Sequence, residues 1–384
     1  MSLQSIPLPL LSSLAGRLSA IHPSPSKTAG STLAGASTDT DFSLLAVNDR
    51  AELLCLAPIQ SEFEVLAVLD IPDFESSKPI QIVTSPQGDY AAVSNRFGRY
   101  ASVFALPDLQ GQSAKLLFRL DRGDYHFDTC LFPLAFTELD GQLILVHGSD
   151  WNRLELTEIP SLQPLADRPK PDRHAESTEA LPYLNYFHGK LRTSPDGARI
   201  ADSGWVWQPV GLIATWSLRE WLSRPWESEN GESLKYFFQT EDWDLPIAWV
   251  DEYRLAIWGR IDTDLLDEED WVEVGDQPTL VIYDSRTGLI SRAIREVPAY
   301  LNSLTLIPKM DVFPHLLADM VFADEQLFIW GHSVPLHVWS LSDVGHDSLE
   351  QITEFTFNQA LYHPSAKLFI DLQADGNLQA YRYV

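Results

Sequence analysis

Aromatic residues stand close to acidic ones in several polar segments of this chain. The candidate binding residues in these segments are Tyr125, His126, Asp150, Trp151, Trp205, Trp207, Trp243 and Trp271. A carboxylate beside an aromatic face attracts cations through its charge and through cation–π contact. Tryptophan is also enriched where binding energy is concentrated. These residues predict a surface that binds a cationic group, and the alternative is that the rings pack against neighbouring loops.

Catalytic motifs are weak in comparison. The segment from Gly331 to Pro335 approaches the G-x-S-x-G pattern but ends in proline, and no strand–turn–helix context surrounds it. The chain has no phosphate-binding glycine loop, zinc-protease pattern or EF-hand. None of the ten histidines forms a metal-spaced pair on a helix, and Arg122-Gly123-Asp124 matches an adhesion tripeptide by chance. The sequence favours a protein without catalytic residues.

An acidic run extends from Asp262 to Asp276 and contains eight carboxylates. Calcium prefers oxygen ligands, so such a run is compatible with a metal site. However, it lacks the central glycine and the regular alternation of carboxylates that a calcium-binding loop has. We interpret it as a solvated loop inserted between two strands.

The overall charge narrows the range of partners. The chain has 384 residues, with 27 Lys and Arg against 54 Asp and Glu, which gives a net charge of −27. Such a surface repels nucleic acids and anionic membranes and attracts cationic proteins, peptides or metals. Only Cys55 and Cys130 are present, which indicates two buried thiols. Arg17 follows the first apolar stretch instead of preceding it, so we expect a cytoplasmic protein.

Short apolar runs that end in turn residues recur along the chain and predict antiparallel strands. The clearest unit runs from Pro79 to Leu120 and contains four strands around the turns 85–89 and 95–99. A similar turn returns at Thr193–Gly197 and again at Tyr362–Ala366. Four strands in about forty residues is the size of one propeller blade. Helical periodicity is scarce, and Ser217–Leu222 is the best candidate for a short helix.

The third strand of each unit supplies one apolar anchor, and the anchors are Leu56, Phe104, Leu156, Trp216, Tyr283, Trp339 and Tyr381. Seven anchors indicate seven blades, while six or eight remain alternatives. At Trp216-Ser217, Trp339-Ser340 and Tyr283–Gly288 the chain resembles the WD40-like seven-bladed β-propeller superfamily in a diverged form. Gly331-His332 departs from that pattern, since it lies only eight residues before Trp339.

The resemblance implies an all-β fold: one propeller over residues 1–384, with seven four-stranded blades closed by N- and C-terminal strands. The last unit has three strands of its own, so an N-terminal segment within residues 1–40 is expected to complete it, with candidates between Ile6 and Ala36. The resemblance also implies a rigid scaffold that needs no cofactor. Its loops would bring the aromatic and acidic segments to one face, which a protein or peptide partner would contact.

The alternative function is a metal-dependent hydrolase similar to the propeller lactonases. Such an enzyme would hold one divalent metal ion in its central channel, with ligands from different blades and therefore no local motif. Asp150, Asp202 and Asn95 are the candidate ligands.

Overall fold

The computed structural model describes residues 2–9, 11, 14–24, 42–108, 111–166, 168, 184–207, 210–240, 245–260, 278–294, 319–331, 334–341 and 348–384. These residues form antiparallel strands in seven sheets, which we number I to VII. The chain divides into two compact units. One comprises residues 1–121 and 307–384, and the other comprises residues 122–306.

The first unit contains four four-stranded sheets, in which each strand is hydrogen-bonded to the next one named. Sheet I consists of β2 (Leu18–Ser24), β3 (Ser43–Asn48), β4 (Glu52–Ala57) and β5 (Glu62–Val68). Sheet II consists of β6 (Ile80–Thr84), β7 (Tyr90–Asn95), β8 (Tyr100–Ala105) and β9 (Lys115–Asp121). Sheet VI consists of β21 (Asp319–Ala323), β22 (Gln326–Gly331), β23 (Val334–Ser340) and β24 (Ser348–Thr356). Sheet VII consists of β1 (Leu3–Ile6), β27 (Leu378–Tyr383), β26 (Leu368–Leu372) and β25 (Ala360–His363). A 3₁₀ turn at Pro58–Gln60 follows β4.

The second unit contains three sheets. Sheet III has three strands in the described part of the chain: β10 (Leu134–Leu139), β11 (Gln142–Asp150) and β12 (Arg153–Ile159). Sheet IV consists of β13 (Phe187–Thr193), β14 (Arg199–Val206), β15 (Val210–Ser217) and β16 (Lys235–Thr240). Sheet V consists of β17 (Ile247–Trp249), β18 (Arg254–Arg260), β19 (Pro278–Asp284) and β20 (Leu289–Ile294). Two short helices, α1 (Leu218–Ser223) and α2 (Glu227–Asn230), connect β15 to β16.

Several inner strands are buried on both faces, because neighbouring sheets within each unit pack face to face. In β3, Leu45 and Val47 belong to the apolar cluster shared with sheet II. Leu44 and Ala46, whose side chains alternate with them, belong to the cluster shared with sheet VII. Since successive side chains of a strand point to opposite faces, one uninterrupted apolar run fills two cores. In β14, Ile200 and Ala201 likewise belong to the clusters shared with sheets III and V, respectively.

The recurring turn has the same hydrogen bonds at both of its clearest occurrences. Gly88 N donates to Ser85 O at 2.9 Å, and Gly197 N donates to Ser194 O at 2.9 Å. Both glycines have a left-handed φ, +76° and +73°. At Gly197 a Cβ would also lie 2.1 Å from the carbonyl oxygen of Glu138, so this turn packs directly on sheet III.

The terminal sheet is closed by pairing of the two chain ends, as the sequence predicts. Strand β1 pairs with β27, with Leu3 opposite Tyr383 and Ile6 opposite Ala380. Ser2 and Val384 exchange two further backbone hydrogen bonds, of 2.8 and 3.0 Å. The window from Ile6 to Ala36 was wrong for this strand, which ends at Ile6. A four-residue strand with polar Gln4 and Ser5 in its middle lacks a long apolar run that would reveal it.

Six of the seven predicted anchors occupy the third strand of their own sheet in chain order. The seventh, Tyr381, lies in β27, which is the third strand of the C-terminal segment but the fourth of sheet VII once β1 is counted. The predicted helix is also confirmed, since α1 begins after Ser217, whose side chain accepts a hydrogen bond from Glu220 N. Among the described residues, no helix is long and apolar enough to cross a membrane.

Candidate binding site

Six aromatic side chains from four segments of the second unit meet in one place. We call them the aromatic cluster, and its members are Tyr125, His126, Trp151, Phe187, Trp205 and Trp207. Tyr125 and His126 lie in the loop between β9 and β10, and Trp151 lies in the turn after β11. Phe187 begins β13, and Trp205 and Trp207 lie at the end of β14 and just beyond it.

The base of the cluster is a buried stack. The rings of Phe187 and Trp205 are 3.9 Å apart at their centroids and nearly parallel, with an interplanar angle of 4°. Trp151 lies 4.3 Å from Phe187. These three side chains, together with Cys130, form a separate buried cluster. Aromatic pairs of this kind add stabilisation beyond the area that they bury, so the base is a rigid support.

The register of sheet IV explains the stack, because Phe187 and Trp205 stand directly opposite each other on β13 and β14. Directly opposed aromatic residues on neighbouring antiparallel strands are within contact distance. The two strands approach closely at two glycines. A Cβ at Gly204 would lie 2.2 Å from Phe187 O, and one at Gly189 would lie 2.2 Å from Ser203 O. A register shift between Phe187 and Lys190 accompanies this approach.

The outer layer of the cluster consists of Tyr125, His126 and Trp207. Trp207 lies 5.3 Å from Phe187 and 5.6 Å from Trp205, and it is tilted by 84° to both. It therefore lies against the edges of the stacked pair instead of continuing the stack. His126 contacts Trp207 at 5.1 Å and Tyr125 at 4.6 Å. Tyr125 and Trp207 are each 42 % exposed, so this layer presents aromatic surface to solvent.

A buried arginine organises the loop that carries Tyr125 and His126. The guanidinium of Arg122, which is only 2 % exposed, donates to Leu131 O at 2.7 Å, to Cys130 O at 2.8 Å and to Phe127 O. It also lies over the ring of Phe132, 5.0 Å from its centroid. Because these carbonyls belong to one loop, a single side chain fixes the path of the backbone. Because Arg122 is buried, the tripeptide Arg122-Gly123-Asp124 does not present its arginine side chain at the surface, as an adhesion motif would.

Carboxylates flank the outer layer. Asp124 and Asp128, in the same loop as Tyr125, are exposed, and Asp150 is half-buried. Asp150 Oδ1 accepts a hydrogen bond from Trp151 N at 2.8 Å, and a Cβ at Gly123 would lie 3.7 Å from that oxygen. The loop of Asp124 therefore approaches the turn of Trp151, and the aromatic surface has acidic neighbours.

The structure places six of the eight predicted site residues close together, namely Asp150 and every member of the aromatic cluster except Phe187. Two of these six residues are buried. Trp151 and Trp205 are 5 % and 4 % exposed, so direct contact with a partner would fall to Tyr125, His126 and Trp207. Asp150 and Trp205 lie in strands, whereas a loop was predicted at both places. Trp243, Trp271 and the acidic run Asp262–Asp276 lie outside the described residues. Phe187 was not predicted, because only the register of sheet IV places it opposite Trp205.

The candidate metal ligands have other roles in the described structure. Asp202 is fully buried, with Oδ2 2.6 Å from His188 Nδ1, and its Oδ1 accepts from Gly189 N at 3.0 Å. Asn95 exchanges hydrogen bonds with the backbone of Glu75. The described residues contain no group of three or more His, Cys, Asp or Glu side chains arranged to hold a metal ion.

The pKa values of two buried residues, His337 in β23 and Tyr186 directly before β13, are shifted. Burial lowers the pKa of His337 in β23 to about 4. Burial also raises the pKa of Tyr186, whose hydroxyl donates to Leu212 O at 2.9 Å and to Asp202 O at 3.1 Å. Burial in the protein core is the largest cause of both pKa shifts.

Comparison with known proteins identifies the fold. No family model and no curated protein matches the chain. Among solved structures, the chain is similar to the crystal structure of the RRP9 WD40 repeats, with 10% sequence identity and a TM-score of 0.55. The similarity covers 99% of this chain and 97% of that chain. Together with the seven antiparallel sheets, it shows that the fold is a WD40-like seven-bladed β-propeller, which confirms the resemblance seen in the sequence.

Proposed function

We propose that this protein is a non-catalytic binding or scaffold propeller whose aromatic cluster takes a cationic protein or peptide partner. The observation that carries this proposal is the outer layer of the cluster. There, two rings that are each 42 % exposed rest on a buried aromatic stack and have exposed carboxylates beside them. The fold favours the same conclusion, since propellers offer a rigid support for interaction surfaces and need no catalytic group.

Rigidity is the first argument for a binding surface. Trp207 rests against the edges of the Phe187–Trp205 stack, and Arg122 fixes the loop of Tyr125 and His126. A partner therefore meets rings that are already ordered, and it loses little binding energy to ordering them. Large aromatic side chains supported in this way are the type of residue that dominates binding energy in interfaces.

Charge is the second argument. The net charge of −27 and the exposed Asp124 and Asp128 favour approach of a positively charged partner. Such attraction between exposed charges is screened by salt, whose Debye length is about 8 Å at physiological ionic strength. Binding should therefore weaken as salt is added, through slower association above all.

Selection from a displayed library of random peptides tests the proposal. The full-length protein serves as bait, Trp207→Ala as the negative bait, and Tyr236→Ala as the matched control. Tyr236 is also exposed, at 45%, and lies in the same unit outside the cluster. We expect wild type and Tyr236→Ala to enrich one set of basic peptides that Trp207→Ala fails to enrich. Enrichment of neutral or acidic peptides, or equal enrichment by all three baits, would contradict the proposal.

A further inference from the structure

Elsewhere in the second unit, an exposed aromatic ring and a carboxylate bind a cation of the chain itself. Tyr253 is 39% exposed, and the guanidinium of Arg286 lies over its ring, 4.4 Å from the centroid. Arg286 also forms two hydrogen bonds with Asp284, of 3.0 Å to Oδ1 and 2.5 Å to Oδ2. The arrangement has three parts: an aromatic face, a guanidinium stacked on it, and a carboxylate that binds the same guanidinium.

Arginine is the cation in every cation–π contact of the described residues. Five of these contacts lie in the second unit. Phe132, Trp221 and Trp226 have one contact each, and Tyr253 has two, one of which is the contact with Arg286. Within the same described part of the chain, no Arg or Lys lies over Tyr125 or Trp207. Asp124 and Asp128 likewise form no ion pair with a described residue. Among the described residues, the outer layer therefore has the aromatic and acidic parts of the arrangement but no cation that completes it.

We infer that the outer layer binds an arginine side chain of the partner, with the guanidinium stacked on Trp207 and paired with an exposed carboxylate of the Tyr125 loop. This inference rests on the proposed function and specifies its ligand group. Trp207 is the best ring for the purpose, because its contacts with Phe187 and Trp205 are made against their edges, and 42 % of its surface stays in solvent. Tryptophan also gives the strongest cation–π attraction among the aromatic residues.

A guanidinium suits this surface better than an ammonium. The guanidinium is planar and weakly hydrated, so it stacks on an indole at a small cost in lost hydration. Its fork of N–H groups then remains free to bind a carboxylate with two bonds. The lysine ammonium is strongly hydrated and acts as a point charge, so it gains less from a half-exposed ring. A peptide with arginine should therefore bind more tightly than a peptide of the same charge with lysine.

Fluorine NMR of the full chain labelled with 5-fluorotryptophan provides the test, with the Trp207 resonance assigned from Trp207→Leu. The probes are acetyl-Gly-Arg-Gly-Arg-Gly-amide, its lysine analogue of equal charge and its neutral citrulline analogue. We expect the arginine peptide to shift the Trp207 resonance and leave the resonances of buried tryptophans such as Trp221 unchanged. Its affinity should exceed that of the lysine peptide about tenfold. The double variant Asp124→Asn and Asp128→Asn should weaken it by a similar factor without changing the melting temperature.

The outcomes separate this inference from the proposed function. Equal affinities for the arginine and lysine peptides, or binding of the arginine peptide that leaves the Trp207 resonance in place, would overturn the inference alone. An unchanged affinity in the double Asn variant would also overturn it, because the carboxylate would then have no part. If none of these peptides binds while library-selected basic peptides do bind in a Trp207-dependent way, the inference fails and the proposed function stands.

Discussion

Replacing Arg122 with methionine tests how the loop of the outer layer is held. The variant keeps a side chain of similar length for the contact with Phe132 but removes the guanidinium. The carbonyl groups of Phe127, Cys130 and Leu131 then lose their donor. The hydrogen bonds of Arg122 to Cys130 O and Leu131 O are buried, so water reaches these two carbonyls only if the loop opens.

The size of the effect follows from the hydrogen bonds that are lost. A hydrogen bond to a charged group contributes about 1.5–3 kcal/mol, and breaking a buried charged network costs about 3–5 kcal/mol. Opening of the loop limits the loss, so we expect about 3 kcal/mol for Arg122→Met. A chain of 384 residues has an unfolding entropy of about 0.8 kcal/mol per kelvin. The melting temperature should therefore fall by about 4 °C.

Calorimetry gives the melting temperature, and hydrogen exchange with mass spectrometry follows the amides of residues 123–131. Arg99→Met is the matched control, since Arg99 pairs with Asp121 at the surface, where ion pairs contribute only about 0–1 kcal/mol. We expect faster exchange of the loop in Arg122→Met alone. Equal melting temperatures for the two variants, with unchanged exchange in the loop, would refute the role assigned to Arg122.

Three further predictions concern the fold. Deleting residues 1–6 removes β1 and should lower the melting temperature clearly; an unchanged value would show that β1 does not close sheet VII. Gly141→Ala, at φ +79° in open space, should cost about 1 kcal/mol, whereas Gly197→Ala meets Glu138 O as well and should cost at least twice as much; equal losses in urea unfolding would contradict this packing. The pKa of His337 is about 4 in the fold and about 6.5 when unfolded, so the unfolded state binds more protons between these values. Stability should therefore fall as pH decreases from about 6.5 to 4, and His337→Gln should flatten that slope; a slope that this variant leaves unchanged would exclude His337 as its source.

Much of the fold follows from local patterns in the sequence. The Ser-Pro-x-Gly turns at Ser85 and Ser194 define hairpins by their own chemistry, and the anchors mark third strands because apolar residues alternate there. The three strands of the last unit predicted that an N-terminal strand closes the sheet, but they did not show that this strand is Leu3–Ile6. Its partner β27 lies at the other end of the chain, so no local pattern encodes which residues pair.

The site was predictable in its residue types more than in its geometry. Aromatic residues beside acids led to Tyr125, Trp151, Trp205 and Trp207, which do meet. Their division into a buried base and an exposed layer depends on the strand register that sets Phe187 against Trp205. The role of Arg122 was equally hidden, because a charged residue in an acidic segment suggests a solvated side chain. Arg122 is buried because three carbonyl groups of the loop that follows it accept its hydrogen bonds, and these carbonyls come together only in the folded loop.

The most direct test of the account is the affinity of the best library-selected basic peptide for wild type and for Trp207→Ala, measured by titration calorimetry at two salt concentrations. Truncating a tryptophan that dominates an interface costs at least about 2 kcal/mol of binding, which is about thirtyfold in affinity. We predict a loss of that size in Trp207→Ala, unchanged binding in Tyr236→Ala, and weaker binding of wild type at high salt. Affinities of Trp207→Ala and wild type that agree within twofold would contradict the assignment of the aromatic cluster as the binding site.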